Sequence, residues 1–133
     1  MNQKYLFVLI FCIAAMMDMK AQYSQAHSQG YRMLDTKVFR YDNDHDAFEF
    51  KTPMIINSFY VIVKDVNVSF RNVLIYFTDG TKKSIDIEAN LFPDVYSKIF
   101  VTQSKKTIQK MVFYHGVKVT KNKVKPKVEL WIK

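Results

Sequence analysis

Cysteine and glycine are scarce in this chain, and each shortage excludes a kind of chemistry. The only cysteine, Cys12, lies in a segment that we expect to be removed on export, so the mature chain would have no disulfide, thiolate nucleophile or cysteine metal ligand. The three glycines, Gly30, Gly80 and Gly116, form no Gly-x-Gly-x-x-Gly, no phosphate loop and no Gly-x-Ser-x-Gly. Enzyme classes that depend on these motifs are therefore excluded.

Histidine is equally rare, with His27, His45 and His115 only. No His-Glu-x-x-His or other paired spacing for zinc is present. We therefore expect a protein that is not an enzyme, and we assign no catalytic, cofactor-binding or metal-binding residue. A small hydrolase with scattered residues stays an alternative, and it would need a pocket that brings His45 or His115 within hydrogen-bond reach of a carboxylate.

The N-terminus has the pattern of a secretory signal peptide. Lys4 is followed by the apolar run "YLFVLIFCIAA" and then by polar residues. The run is shorter than the roughly 20 residues that a membrane-spanning helix needs. Cleavage is expected after Ala21 or after Ala26, and we predict export to the periplasm or the cell surface with no transmembrane segment in the mature chain.

Three parts follow from this assignment: a signal peptide at 1–21, a disordered leader at 22–29 and one domain at 30–133. Loss of the signal removes two lysines and one aspartate, which changes the net charge from +8 to +7. A domain of about 100 residues can bury an ordinary hydrophobic core without disulfides.

Alternating apolar and polar residues, rich in β-branched and aromatic types, predict an all-β chain. The predicted strands are Arg32–Arg40, Ala47–Phe50, Asn57–Lys64, Val66–Phe70, Asn72–Thr78, Lys82–Glu88, Ser97–Thr102, Ile108–His115 and Lys127–Lys133. Asp79-Gly80 in "YFTDGTKKSIDI" predicts a hairpin with a type I′ turn. Glu88–Ser97 is predicted to be the longest connection.

Several of these strands are apolar on both faces, as in "SFYVIVK" and "KMVFY". Such strands lie centrally in a sheet, with one face in a sandwich core and the other face either covered or left apolar. About eight short strands at regular spacing then predict a two-sheet antiparallel β-sandwich of jelly-roll-like type.

The order of these segments, from "GYRMLDTKVF" through "DHDAFEF" and "FYVIVKDVNVSFRNVLIYFTDGTKKSIDI" to "KMVFYH" and "KVELWIK", resembles a family of small exported bacterial β-sandwich domains of unknown function. The resemblance extends from Gly30 to Ile132. Lys106 stands where the family pattern has arginine, and Trp131 where it often has a small residue. The resemblance implies a fold and an exported location but no activity.

The stretch "YDNDHDAF" places Asp42, Asp44 and Asp46 at alternate positions. This matches the start of a calcium loop, but Ala47 and Pro53 replace its essential glycine and glutamate, so the EF-hand reading fails. We predict a turn between the first two strands, with Asp side chains bonded to nearby backbone amides. A looser calcium site stays an alternative.

Two surface features could bind a ligand. Lys121, Lys123, Lys125 and Lys127 alternate, so in an extended chain all four would point to one side and could bind an anionic polysaccharide. The other interpretation is a solvated loop or an edge protected by lysines and a proline. The second feature is an aromatic set that would form a sugar-stacking platform if it faced outward on one sheet: Tyr60, Tyr76, Tyr114 and Trp131. The other interpretation is that the tyrosine rings are buried and their hydroxyl groups reach solvent at a sheet margin.

The sequence therefore predicts an exported, non-enzymatic β-sandwich that acts as a binding or structural module of the cell envelope. The alternative is a carbohydrate-binding module for acidic envelope polysaccharide, with or without help from calcium. The expected partners are an anionic polysaccharide or an envelope protein, and nucleic acid is excluded by export.

Overall fold

The computed structural model of the protein describes residues 29–117 and 121–133. The strands are β1 (Arg32–Val38), β2 (His45–Met54), β3 (Ser58–Lys64), β4 (Val68–Phe77), β5 (Lys82–Leu91), β6 (Phe100–Val101), β7 (Ile108–Val117) and β8 (Lys127–Ile132). Within this part of the chain no helix is long and apolar enough to cross a membrane. The predicted signal peptide and almost all of the predicted leader lie outside the described residues, so both stay predictions.

The strands form two antiparallel four-stranded sheets. Sheet A has the order β1-β8-β3-β6 and sheet B the order β2-β7-β4-β5. Only β4 and β5 follow one another in the same sheet, because every other connection crosses from one sheet to the other. This arrangement is that of a jelly roll, and it confirms the predicted all-β sandwich.

Phenylalanine rings fill the space between the sheets. Phe113 of β7 lies at their centre, with ring centroids 5.6–6.3 Å from those of Phe39, Phe48, Phe59 and Phe70. All five side chains are at most 1% exposed. The inward positions alternate with outward ones along each strand, so two outer faces remain for polar groups or ligands.

Several predicted boundaries were wrong in a systematic way. The predicted strands Val66–Phe70 and Asn72–Thr78 are one strand, β4, with a register shift between Phe70 and Asn72. β5 continues to Leu91, so the first four of the ten residues of the predicted connection are strand. A bulge keeps a strand paired while it interrupts the alternation that sequence patterns detect.

The turn at Asp79-Gly80 joins β4 to β5 as predicted, but its type was wrong. Gly80 has a φ of 86°, whereas Asp79 is not among the residues with positive φ. The N–H of Gly80 donates to the carbonyl of Phe77 at 3.1 Å, and the N–H of Phe77 donates to Thr81 at 2.9 Å. These bonds define a three-residue loop in which a type I turn is followed by a glycine bulge, so only one residue needs positive φ.

The carboxylate of Asp79 stabilises this loop. It accepts a hydrogen bond from the backbone N–H of Thr81 at 2.9 Å and lies 3.0 Å from Nζ of Lys106. The hydrogen bonds from Thr81, followed by the contact with Lys106, lower the pKa of Asp79 to about 2. An ionised Asp79 is thus part of the turn at neutral pH.

Candidate functional site

The three predicted turn aspartates separate in the structure. Asp42 and Asp44 lie in the exposed turn between β1 and β2, whereas Asp46 lies on β2 and is only 4% exposed. The prediction of one turn containing all three was therefore wrong for Asp46, because β2 begins two residues earlier than the alternation indicated. In the described part of the chain no group of three His, Cys, Asp or Glu side chains surrounds a possible metal position.

Asp46 instead faces His115 of β7. Its Oδ2 lies 2.8 Å from Nε2 of His115 and accepts the backbone N–H of Arg40 at 3.0 Å. The guanidinium of Arg40 approaches Oδ1 at 3.5 Å. The side chains of His115 and Asp46 are 0% and 2% exposed. The pair therefore connects the β1–β2 segment to β7 from inside the sandwich.

The contact with Asp46 indicates the tautomer of His115. If Nε2 donates to the carboxylate oxygen of Asp46, a neutral imidazole carries no proton on Nδ1. That Nδ1 is buried without a hydrogen-bond partner in the described structure, and the ring stacks on Phe39 at 4.5 Å. Burial lowers the pKa of His115, although the hydrogen bond to Asp46 acts in the opposite direction. The imidazole is thus neutral near pH 7 and has no access to solvent.

His45 and Asp44 form a second, exposed pair, with Nδ1 of His45 2.7 Å from Oδ1 of Asp44. This hydrogen bond lowers the pKa of Asp44. The ring of His45 lies 5.4 Å from that of Tyr114 on the outer face of sheet B. Both histidines are therefore within hydrogen-bond reach of a carboxylate, one pair buried in the core and the other open on a flat surface.

The lysine-rich stretch is not an extended rail. Lys121, Lys123 and Lys125 precede β8, and the φ of 50° at Lys123 breaks the alternation on which the prediction depended. Lys127 begins β8, which lies between β1 and β3 and is not an edge strand. The alternative interpretation as edge protection was therefore also wrong, whereas a solvated loop describes residues 121–125.

The four predicted aromatic residues face outward, but on opposite sides. Tyr60 and Trp131 lie on sheet A, whereas Tyr76 and Tyr114 lie on sheet B. A single platform made of all four was therefore wrong. The sequence pattern assigned each residue to a strand face, but only the strand order determines which faces belong to the same sheet.

Sheet A brings together a larger aromatic set than the sequence indicated. Tyr60 and Trp131 are cross-strand neighbours, and their rings stack with centroids 5.8 Å apart and planes 8° apart. Tyr31 and Tyr96 form T-shaped pairs with Tyr60, with ring centroids 5.1 and 5.7 Å from that of Tyr60. We call the side chains of Tyr31, Met33, Tyr60, Tyr96 and Trp131 the aromatic face.

One of its outermost members, Tyr96, comes from a segment in which the sequence predicted no strand. Tyr96 follows β5 in the predicted connection, yet it bridges to Ile62 of β3 and so joins the outer side of sheet A. Met33 pairs with Trp131 from β1. Met33 is 47% exposed and Tyr96 38%, whereas Tyr60 between them is 3% exposed. The result is a buried tyrosine surrounded by accessible apolar side chains.

Two side chains of the aromatic face form hydrogen bonds through their polar atoms. The hydroxyl of Tyr31 lies 2.7 Å from Oγ of Ser58, and Nε1 of Trp131 donates to Glu129 at 3.0 Å. Burial raises the pKa of Tyr60 to about 12, so this hydroxyl keeps its proton at any physiological pH. The rings of Tyr31 and Trp131 are therefore held in defined orientations by hydrogen bonds at their margins.

These features define a small all-β jelly-roll domain with two outward sheet faces, one of them aromatic. The family model described as "Domain of unknown function (DUF2541)" matches residues 6–131. The chain belongs to this family. No curated protein and no solved structure matches the chain.

Proposed function

We propose that the protein is an exported, non-enzymatic binding module of the cell envelope, located in the periplasm or at the cell surface, and that the aromatic face is its binding surface. The observation that carries this proposal is the Tyr60–Trp131 stack with exposed Met33 and Tyr96 beside it. Tyrosine, tryptophan and methionine are enriched in protein interfaces, where a few such residues dominate the binding free energy.

The geometry of the stack favours an envelope protein as the ligand of this face. A sugar ring needs an accessible aromatic ring face, but Tyr60 and Trp131 each use one ring face on the other. Met33 and Tyr96 instead offer apolar edges on two sides of the stack, which suits the side chains of a protein partner. Charged groups, such as Glu129 and Lys133, surround this centre as interface rims commonly do.

Site-specific photocrosslinking in the native host tests this proposal. A photoreactive residue at Met33 should crosslink to an envelope protein, whereas the same residue at Ser84, on the outer side of sheet B, should not. Adding Trp131→Ala should weaken the captured complex at least about thirtyfold in Kd, because truncation of an aromatic hot spot costs about 2 kcal/mol or more. Equal crosslinking from Met33 and Ser84, or an affinity unaffected by Trp131→Ala, would contradict the proposal.

Acidic polysaccharide binding is a second candidate function. It is supported by the net charge of +8 and by an arrangement of lysines on sheet B. A contribution from calcium has no such support, because the carboxylate of Asp46 is buried against His115 and Arg40, and no three acidic or histidine side chains of the described residues surround a possible metal position.

A further inference from the structure

Three neighbouring cross-strand rows on the outer face of sheet B differ in character. The middle row is mostly apolar and the row beyond it is polar. Following the register from β2 to β5, the rows are Glu49–Lys110–Tyr76–Lys82, Ala47–Val112–Leu74–Ser84 and His45–Tyr114–Asn72–Asp86. The first row places two cations on either side of one aromatic ring, at the end of sheet B next to the β4–β5 turn.

The two lysines of this row converge on Tyr76. Nζ of Lys110 lies 4.5 Å from the ring centroid, and Nζ of Lys82 lies 5.4 Å from it. Both distances are within the range of a cation–π interaction. Since the lysines come from the strands on either side of β4, the ring holds both ammonium groups close to the same point of the surface.

Neither ammonium group is neutralised within the described part of the chain. Arg40, Lys64 and Lys106 form ion pairs with aspartates, but Lys82 and Lys110 do not. Glu49 is the cross-strand neighbour of Lys110, yet the two make no ion pair. Two converging and unneutralised cations create a local positive potential that attracts an anionic group.

We propose that Lys82, Tyr76 and Lys110 form a binding site for the carboxylate groups of an acidic polysaccharide. This inference rests on the second candidate function and gives it a location. The ammonium groups bind carboxylates, and the neighbouring apolar row, with Leu74 and Val112, supports the C–H faces of the sugar rings. An extended polymer that repeats its charge along a flat chain fits a row that crosses several strands.

The surroundings of the row favour a single polymer chain over a lipid surface. Glu49 lies at one end of the row, and Asp86 lies two rows away on the same face. A negatively charged membrane would approach the whole face and meet both carboxylates, whereas one polymer chain can follow the two lysines. The site is therefore a narrow cationic strip with acidic neighbours.

Binding of polygalacturonate to the exported full-length protein tests the inference, with dextran as the uncharged control polymer. Replacing both lysines, Lys82→Gln with Lys110→Gln, should weaken binding at least about tenfold, because two charge-assisted contacts are lost. The matched control, Lys121→Gln with Lys125→Gln, removes the same charge from the exposed loop, and Lys125 also lies over a tyrosine, Tyr41, at 5.9 Å. This control should change the affinity by less than about twofold.

A third variant tests whether negative charge near the site opposes polymer binding. Glu49→Gln removes the carboxylate next to Lys110 and should strengthen binding. Raising the salt concentration should weaken polymer binding by the parent more than binding by the double lysine variant. Equal losses in the two double variants would overturn the inference in favour of nonspecific charge attraction. Binding to vesicles of anionic lipid that depends on Lys82 and Lys110, without binding to polygalacturonate, would overturn it in favour of a lipid headgroup.

Failure of the sheet B site and failure of the proposed protein-binding function would give different results. Trp131 lies on sheet A, so Trp131→Ala should leave polygalacturonate binding unchanged. The same variant should weaken the complex captured by crosslinking from Met33. If the lysine variants have no effect on polymer binding, the sheet B site is refuted and the aromatic face is untouched. If crosslinking from Met33 fails while the lysine variants lose polymer binding, the sheet B site stands alone.

Discussion

Replacement of Gly80 by valine should destabilise the domain through backbone strain alone. Gly80 has a φ of 86°, a conformation that a β-branched residue adopts only at a cost. No heavy atom lies within 4 Å of the position that an added Cβ would occupy. A clash between the added Cβ and the rest of the domain therefore does not contribute to the loss.

The expected loss follows from the conformation. A non-glycine residue held in such a region costs about 1–3 kcal/mol. For a domain of about 100 residues this lowers Tm by about 5–15 °C. β4 lies between β5 and β7 in sheet B, so a strained β4–β5 loop should weaken the whole domain, and unfolding should stay a single cooperative transition.

Gly116 provides a matched control on β7. It also has nothing within 4 Å of an added Cβ, but its φ lies outside the left-handed region. Gly116→Val should leave Tm unchanged or raise it, since valine suits strands better than glycine. Gly80→Asn should recover most of the loss, because asparagine tolerates positive φ. Thermal unfolding monitored by circular dichroism measures all three, and a Gly80→Val variant that melts within two degrees of the parent would refute the reasoning.

Three further predictions concern the core, the buried histidine and export. Phe113→Ala should lower the free energy of unfolding by about 3–5 kcal/mol, measured by urea denaturation, because it opens a cavity among four rings; a loss below about 1 kcal/mol would show that the packing relaxes. The pKa of His115 is lowered in the folded state, mainly by burial, so the unfolded chain binds the proton first and stability should decrease as the pH falls below about 6.5. His115→Gln should flatten this dependence between pH 7 and pH 5, and an unchanged slope would assign it to other groups. Mass spectrometry of protein from the host envelope should find the chain without its Met1–Ala21 segment, and an intact Met1 would contradict export through a cleaved signal.

The sequence alone determined the fold class, because period-two alternation is a local property that reads directly as strands. It also located the β4–β5 hairpin, since Asp79-Gly80 between two alternating runs has few other structural meanings. It could not specify the turn type, because the same two residues suit both a type I′ turn and a type I turn with a glycine bulge. Which of these forms depends on how the flanking strands pair, as the bonds between Phe77 and Thr81 show.

The candidate sites were decided by the tertiary structure. Alternation placed Tyr60 and Tyr76 on one face of their strands, but only the jelly-roll order showed that they face outward on opposite sheets. Asp46 and His115 are 69 residues apart, and their contact arises because β2 and β7 are neighbouring strands of sheet B. Tyr96 joins the aromatic face through a single bridge outside any strand. Local chemistry selects strands and turns. Contacts between distant segments follow instead from the order in which the strands pair, and a local pattern holds no information about that order.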